Sequence, residues 1–396
     1  MILSKKAEQI APSLTLDITA KAKKMKADGI DVIGFGAGEP DFNTPKNIQD
    51  VAIKAIQEGK TKYTPASGIM ELKQAIINKL DKENDLTYVP SQIIVSTGAK
   101  QCLANVFQAI LNPGDQVLIA VPYWVSYPEL IKLADGEPVY VETEEINAFK
   151  LTIENLNEAL TSKSKAIVVN SPNNPTGTVY SKEELTKIAE FAKVNNLIII
   201  SDEIYEKLLY GSNGHISIAS ISEDAYNRTI VINGVSKAYA MTGWRIGYAA
   251  GSTEVVKLMT NIQSHTTSNP NSIAQYASVE ALNGEQAGVI KMIEQFKIRR
   301  DYMVERINNI NNLSCMKPEG AFYVMVNIGN VLNKSIDGKV ISDSIVFSEL
   351  LLKKEKVAVV PGIAFGVDNF VRLSYATSME NIKNGLDRIA KFASNI

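Results

Sequence analysis

Residues 93–111 read IIVSTGAKQCLANVFQAIL, and their pattern decides the fold. Three β-branched residues and a serine predict a short buried strand at 93–96. The period then changes, because Leu103, Val106, Phe107, Ile110 and Leu111 fall on one face of a helix. Small residues, STGAK, fill the junction. The same alternation recurs along the chain. VLIAV (117–121), PVYVE (138–142), AIVVN (166–170), LIIIS (197–201), TIVIN (229–233) and IGYAA (246–250) predict further strands. SKEE at 181–184 is a capping box that opens a helix between two of them. Strands alternating with helices need crossover connections, so an α/β fold is expected, its mostly parallel sheet covered on both faces.

A chain of 396 residues exceeds what one core normally supports. The alternating block spans 46–283 and predicts a large domain. A long helical pattern at 284–309 and strands AFYVMVNI (321–328), VAVVP (357–361) and FVRLSY (370–375) predict a smaller α+β domain. The first 45 residues, with helix-like ITAKAKKMKADG (18–29) and the loop GFGAGEPDFNTP, are assigned to that smaller domain.

Composition narrows the function. A net charge of −2 without a long basic run argues against a nucleic-acid binder. No stretch approaches a membrane span and the N-terminus lacks the apolar core of a signal peptide, so a cytoplasmic protein is expected. Cys102 and Cys315 sit in runs that predict buried, reduced apolar filler. The two histidines, His215 and His265, have no partner at ligand spacing, so neither a metal site nor a histidine triad is expected. Another group must move protons.

Ligands of open parallel sheets sit beyond the carboxyl ends of the strands, so polar residues there are the candidates. GFGAG (34–38) fails as a dinucleotide fingerprint because its glycines run into EPDFNTP rather than a helix. STGAK (96–100) is either a phosphate cradle at a helix N-terminus or a tight turn without a ligand. NSPNNPTG (170–177) carries asparagines in a loop whose composition also suits a plain turn. Asp202 follows an apolar strand, where a carboxylate needs a cation or donor, or else caps a helix. Lys237, in NGVSKAYAMTGWRIGY (233–248), is either solvated or held in a cleft for chemistry, with Arg245 eight positions on. Trp124, in VPYWVSYP, offers a flat surface. A ligand with a phosphate, an aromatic ring, a basic ring nitrogen and an aldehyde would use all of these groups. Pyridoxal phosphate is such a ligand.

SKAYAMTGWRIGY resembles the lysine signature of the class I/II aminotransferases, of fold type I among pyridoxal-phosphate enzymes. GAGEPDFNTP, KYTPASGIMELKQAI, STGAKQ, PYWVSYPE, NSPNNPTG, SDEIYE and VRLSYATS follow in the family's order through most of the chain. Within it, the pattern is most similar to the aspartate-specific bacterial branch of Bacillus and thermophile type. The resemblance implies that Lys237 binds the cofactor aldehyde and shuttles a proton, and that Asp202 pairs with the ring nitrogen. Tyr205 and Asn174 would meet the ring 3-oxygen and Trp124 would stack on the ring. Gly98, Ala99, Lys100 and Arg245 would hold the phosphate, joined by Tyr63 from the other subunit of a homodimer. Many relatives carry a hydroxyl where this chain has Gly234, and Ser236 is the candidate to compensate. Arg372 would grip the substrate α-carboxylate, with Gly38 and Asn174 in the same pocket and Phe322 as a wall. Lys100 beside Thr15 could meet a second carboxylate, or Lys100 could be solvated. The expected reaction is transamination between an amino acid and a 2-oxo acid, aspartate with 2-oxoglutarate. The alternatives are prephenate or aromatic and aliphatic 2-oxo acids, and, outside catalysis, a ligand sensor.

Overall fold

A computed structural model describes residues 3–12, 14–211 and 214–396, with backbone alone at 14–16 and 19. Its centre is a seven-stranded sheet. The strands are β1 (Ile93–Ser96), β2 (Gln116–Val121), β3 (Glu137–Glu142), β4 (Ser164–Asn170), β5 (Ile198–Asp202), β6 (Thr229–Gly234) and β7 (Gly247–Ala250). They lie in the order β1-β7-β6-β5-β4-β2-β3. Only β7 runs antiparallel to its neighbours. Each predicted strand of this block forms within a residue or two of its expected limits.

The continuous apolar runs are explained by burial on both faces. Successive residues of β5 point to opposite sides. Ile199 packs with Leu185, Ile188 and Ile167, whereas Ile200 packs with Leu103, Phe107 and Val168. The helix Ala99–Ile110 lays Leu103, Val106 and Phe107 on that second face with no measurable exposure. Removing a ring of this kind, as in Phe107→Ala, typically costs about 3–5 kcal/mol. At Ser181 the capping box forms, with Oγ accepting from Glu184 N–H at 3.2 Å and Glu184 Oε2 from Ser181 N–H at 2.7 Å.

A smaller antiparallel sheet comprises β8 (Ser314–Cys315), β9 (Tyr323–Asn327), β10 (Val360–Pro361) and β11 (Phe370–Ser374), in the order β10-β11-β9-β8. Its core includes Phe296 and Met303 of the helix Ala287–Asn308 and Leu386 and Phe392 of the helix Met379–Ser394. The run 357–361 is not one strand, as expected, but two. Val357–Ala358 pairs in parallel with Ile33–Gly34, and Val360–Pro361 turns to pair with β11. That parallel pairing ties the N-terminal segment to the C-terminal half and holds the loop after Gly34 over the end of the large sheet.

Candidate active site

Parallel β4 and β5 bring Asn170 and Asp202 side by side at their carboxyl ends, with Ile232 of β6 next in register. Lys237 follows three residues after β6 ends. A cavity of about 490 Å³ opens above these strand ends. It is lined by Gly38, Glu39, Ala99, Lys100, Trp124, Tyr127, Asn174, Asp202, Tyr205, Ser236, Lys237, Arg245, Tyr323 and Arg372.

Asp202 is 4% exposed. Burial pushes its carboxyl up to about 6, against the pull of the Tyr127 hydroxyl and the Ile204 N–H. Tyr127 Oη donates to Oδ2 at 2.7 Å and Ile204 N–H to Oδ1 at 3.3 Å. The alternative of a helix cap is thus replaced by a turn, since residues 204–207 form no helix. Lys237 Nζ donates to Gly38 O at 2.5 Å. Enclosure lowers its amine to about 8, Glu39 opposing and Arg245 and Arg372 reinforcing the shift. The cavity thus pairs a buried acid held above its usual range with an amine held well below its own.

On one side the turn after β1 meets Arg245. Gly98 takes φ +86°, and a Cβ there would lie 2.3 Å from Arg245 Nη2. A side chain there would be strained by the positive φ and would push the guanidinium aside. The helix begins at Ala99, so its first N–H groups, which have no intrahelical partner, and the positive end of its dipole face the same place. Lys100 Nζ lies 5.0 Å from the centre of the Trp124 ring. Burial, then Arg245, lowers the Lys100 amine. At Gly234 a Cβ would lie 2.8 Å from Ile246 O, so β7 leaves no room there for the relatives' hydroxyl, whereas Ser236 lines the cavity.

On the other side Arg372, 3% exposed, comes from β11. Nη1 donates to Asn174 Oδ1 at 2.9 Å and Nη2 to Gly36 O at 3.2 Å. Its guanidinium packs over Tyr323 and Phe365, at 4.2 and 4.9 Å from the ring centres. Burial lowers its pKa, and among the described residues Nε has no partner and no carboxylate meets the charge. A buried cation so left is suited to an anionic ligand.

Most of the residues singled out in the sequence therefore converge, and four need comment. Gly98 lies behind Arg245 rather than on the cavity wall. Tyr63 is 91% exposed and stands outside the cavity of this single chain. The side chain of Thr15 lies outside the described residues. Phe322, expected as a wall, is a correction: it is fully buried beneath the site, with its ring 5.5 Å from that of Tyr205, and its strand neighbour Tyr323 faces the cavity. Phe322 lies in the turn just before β9, and its ring packs down among Tyr205, Phe296 and Tyr323 rather than into the cavity. Tyr127 and Asn170 were missed. Asn170 Oδ1 accepts from Asn174 N–H at 2.9 Å and so fastens the NSPNNPTG loop. The only signal for it is a polar residue closing an apolar strand.

A mostly parallel sheet whose strand ends present an enclosed amine, a buried acid and two anion-seeking arginines defines an α/β enzyme of amine chemistry. The chain belongs to the class I and II aminotransferase family, whose pattern matches residues 30–389. It is 51% identical over 391 residues to an aspartate aminotransferase of Bacillus sp. strain YM-2, covering 99% of each chain. It is 46% identical over 397 residues to an aspartate/prephenate aminotransferase of Nitrosomonas europaea, covering 100% of both. The aspartate aminotransferase of Thermus thermophilus, solved with maleate, superposes with a TM-score of 0.93 at 43% identity, covering 99% of each chain.

Proposed function

We propose that this chain moves the amino group of L-aspartate to 2-oxoglutarate with pyridoxal phosphate as cofactor. The observation that carries the reading is the low-pKa amine of Lys237 in one cavity with the buried Asp202, between Arg245 and Arg372. The residues fit the cofactor. Asp202 is a buried acid short of a cation, which a protonated ring nitrogen would supply. The first N–H groups of the helix Ala99–Ile110 and the Arg245 guanidinium form an anion cradle at the cavity wall, with Gly98 packed behind the guanidinium. Arg372 lines the same cavity as a buried cation that no carboxylate meets among the described residues, which a second anion would satisfy.

When bound, pyridoxal phosphate supplies an aldehyde that captures amines and a ring that draws electrons from the substrate α-carbon. Lys237 Nζ, about 8 in pKa, serves both as the covalent anchor and, once displaced, as the base that takes the α-proton and returns it. Arg372 grips the α-carboxylate with its planar fork, steadied by Asn174. Tyr205, whose hydroxyl lies 2.9 Å from that of Tyr323, and Asn174 would hydrogen-bond the cofactor's phenolic oxygen, and Trp124 would pack against its ring. Lys100 meets the distal carboxylate of the dicarboxylic substrates. Maleate in the Thermus thermophilus relative supports a dicarboxylate pocket.

The cavity draws on residues of both 46–283 and the flanking 1–45 and 284–396, which supports two domains meeting at the site. We also assign a cytoplasmic homodimer, in which the exposed Tyr63 reaches the partner's phosphate site. The relative from Nitrosomonas europaea favours prephenate as a second amino acceptor. Relative kcat/KM for the aspartate and prephenate couples tests the substrate assignment. Borohydride trapping with peptide mapping tests the anchor: a label anywhere but Lys237 defeats the proposal.

A further inference from the structure

The segment Asp202–Glu206 has two sides. Asp202 and Tyr205 line the cavity, whereas Glu203 and Glu206 turn away into a buried polar cluster. Glu203 Oε1 accepts from Ser201 at 2.8 Å and Ser217 at 2.6 Å, and Oε2 lies 2.9 Å from His215 Nε2. Glu206 pairs with Lys79 and accepts from Asn84 Nδ2 at 3.1 Å. Lys79 in turn donates to Asn84 Oδ1 at 2.7 Å.

Glu203, Glu206 and His215 offer ligand atoms within 4.8 Å of one another, a spacing that would suit a metal ion. The partners argue otherwise. The lone pairs of both carboxylates already accept from hydroxyls, an amide, an ammonium and an imidazole, and the Lys79 ammonium stands where a cation would be repelled. With His215 protonated through its contact with Glu203, two carboxylates, one ammonium and one imidazolium make a neutral group; His215 Nδ1 has no partner among the described residues. Burial alone would push His215 down, but the adjoining Glu203 carboxylate, with Glu206 beyond it, holds the imidazolium above its usual range. Glu206 is held down at about 2, Lys79 and His215 outweighing its burial.

We propose that Lys79, Glu206, His215 and Glu203 are positioning residues that clamp the Asp202–Tyr205 segment from behind, and that their charge balance sets the field felt by the Lys237-bound cofactor. Other groups around the cluster are Glu83 of the helix Met70–Asn84, the Tyr88, Tyr239 and Tyr248 rings, and Lys207, which pairs with Glu83 at 2.7 Å. Glu83 is shared between Lys207 and, at 3.7 Å, Lys79, but it is partly exposed and its pairing with Lys207 is the shorter, so it screens the loss of a buried charge without cancelling it. The inference rests on the cofactor assigned above.

The test is the pH titration of the visible absorbance of the holoenzyme. Glu206→Gln leaves the cluster with one excess positive charge, so the cationic form of the chromophore is disfavoured and its midpoint falls by roughly 0.5–1 pH unit. His215→Gln leaves one excess negative charge, and the midpoint rises by about as much. The double variant restores neutrality and returns close to the wild-type midpoint. A merely structural role lowers thermal stability in all three without this ordering of signs. Midpoints that coincide, or that all move one way, overturn the inference. Should Glu206→Gln fail to fold, His215→Gln decides alone: an upward shift upholds the inference and an unchanged midpoint overturns it. A wild-type chain without a pH-dependent, borohydride-sensitive band overturns the cofactor assignment itself, and this inference with it.

Discussion

Asn174 and Arg372, 198 residues apart in sequence, meet at 2.9 Å through Oδ1 and Nη1, and the contact joins the loop after β4 to β11. It fixes one edge of a guanidinium that lines the cavity and meets no carboxylate among the described residues. Arg372→Lys keeps the charge but loses the fork. The expected result is a fall of about 100-fold in kcat/KM for aspartate, equivalent to about 3 kcal/mol of charge-assisted hydrogen bonding. A variant with the wild-type value for aspartate would remove Arg372 from substrate binding.

Asp202 links function to stability. Its carboxyl titrates at about 6 in the fold against 3.8 for an ordinary aspartate. Between those values the folded chain binds a proton that the unfolded chain has released. Rising pH through that window therefore removes stability, and above about 6 the full cost is in place, roughly 3 kcal/mol. Asp202→Asn should stabilise the cofactor-free chain by up to that amount at about pH 7.5 and by much less near pH 4, while abolishing transamination. Denaturant unfolding of both proteins at the two pH values checks this. A pH-independent difference would contradict it.

Tyr127 offers a third test. Its hydroxyl is a hydrogen-bond donor to the buried carboxylate, so Tyr127→Phe should raise Asp202 further and weaken the hold on a ring cation. Loss of one such bond, about 1.5–3 kcal/mol, predicts cofactor affinity lower by about 10- to 100-fold. Equilibrium dialysis of the cofactor measures it. Affinity equal to that of the wild-type protein would confine Tyr127 to packing.

What was legible in the sequence follows from the physics of each feature. β4, β5 and β6 are buried on both faces, so short apolar runs marked them. Lys237 and Asp202 stood out as candidates because charged groups beside apolar strands need a reason, whereas Arg372 was singled out only through the resemblance of VRLSYATS. Tyr127 was hidden, since a tyrosine inside an amphipathic helix looks like core until its hydroxyl finds Asp202. Phe322 was expected as a wall and Tyr323 was not considered, because residue type alone does not say which of two neighbouring aromatics faces the cavity. The His215 cluster was illegible for a different reason. Its members come from a helix, a strand end and a loop, so sequence spacing held no trace of their meeting.

Tyr63 gives the last prediction. Tyr63 is 91% exposed and stands outside the cavity of its own chain, so only a second copy can bring its hydroxyl to an anion. Sedimentation should therefore give twice the mass of one chain. Tyr63→Phe should remain a dimer yet bind the cofactor about 10-fold more weakly, the scale of one hydrogen bond to a charged phosphate. A monomer, or a dimer in which the substitution leaves cofactor affinity untouched, would show that Tyr63 takes no part in the partner's site.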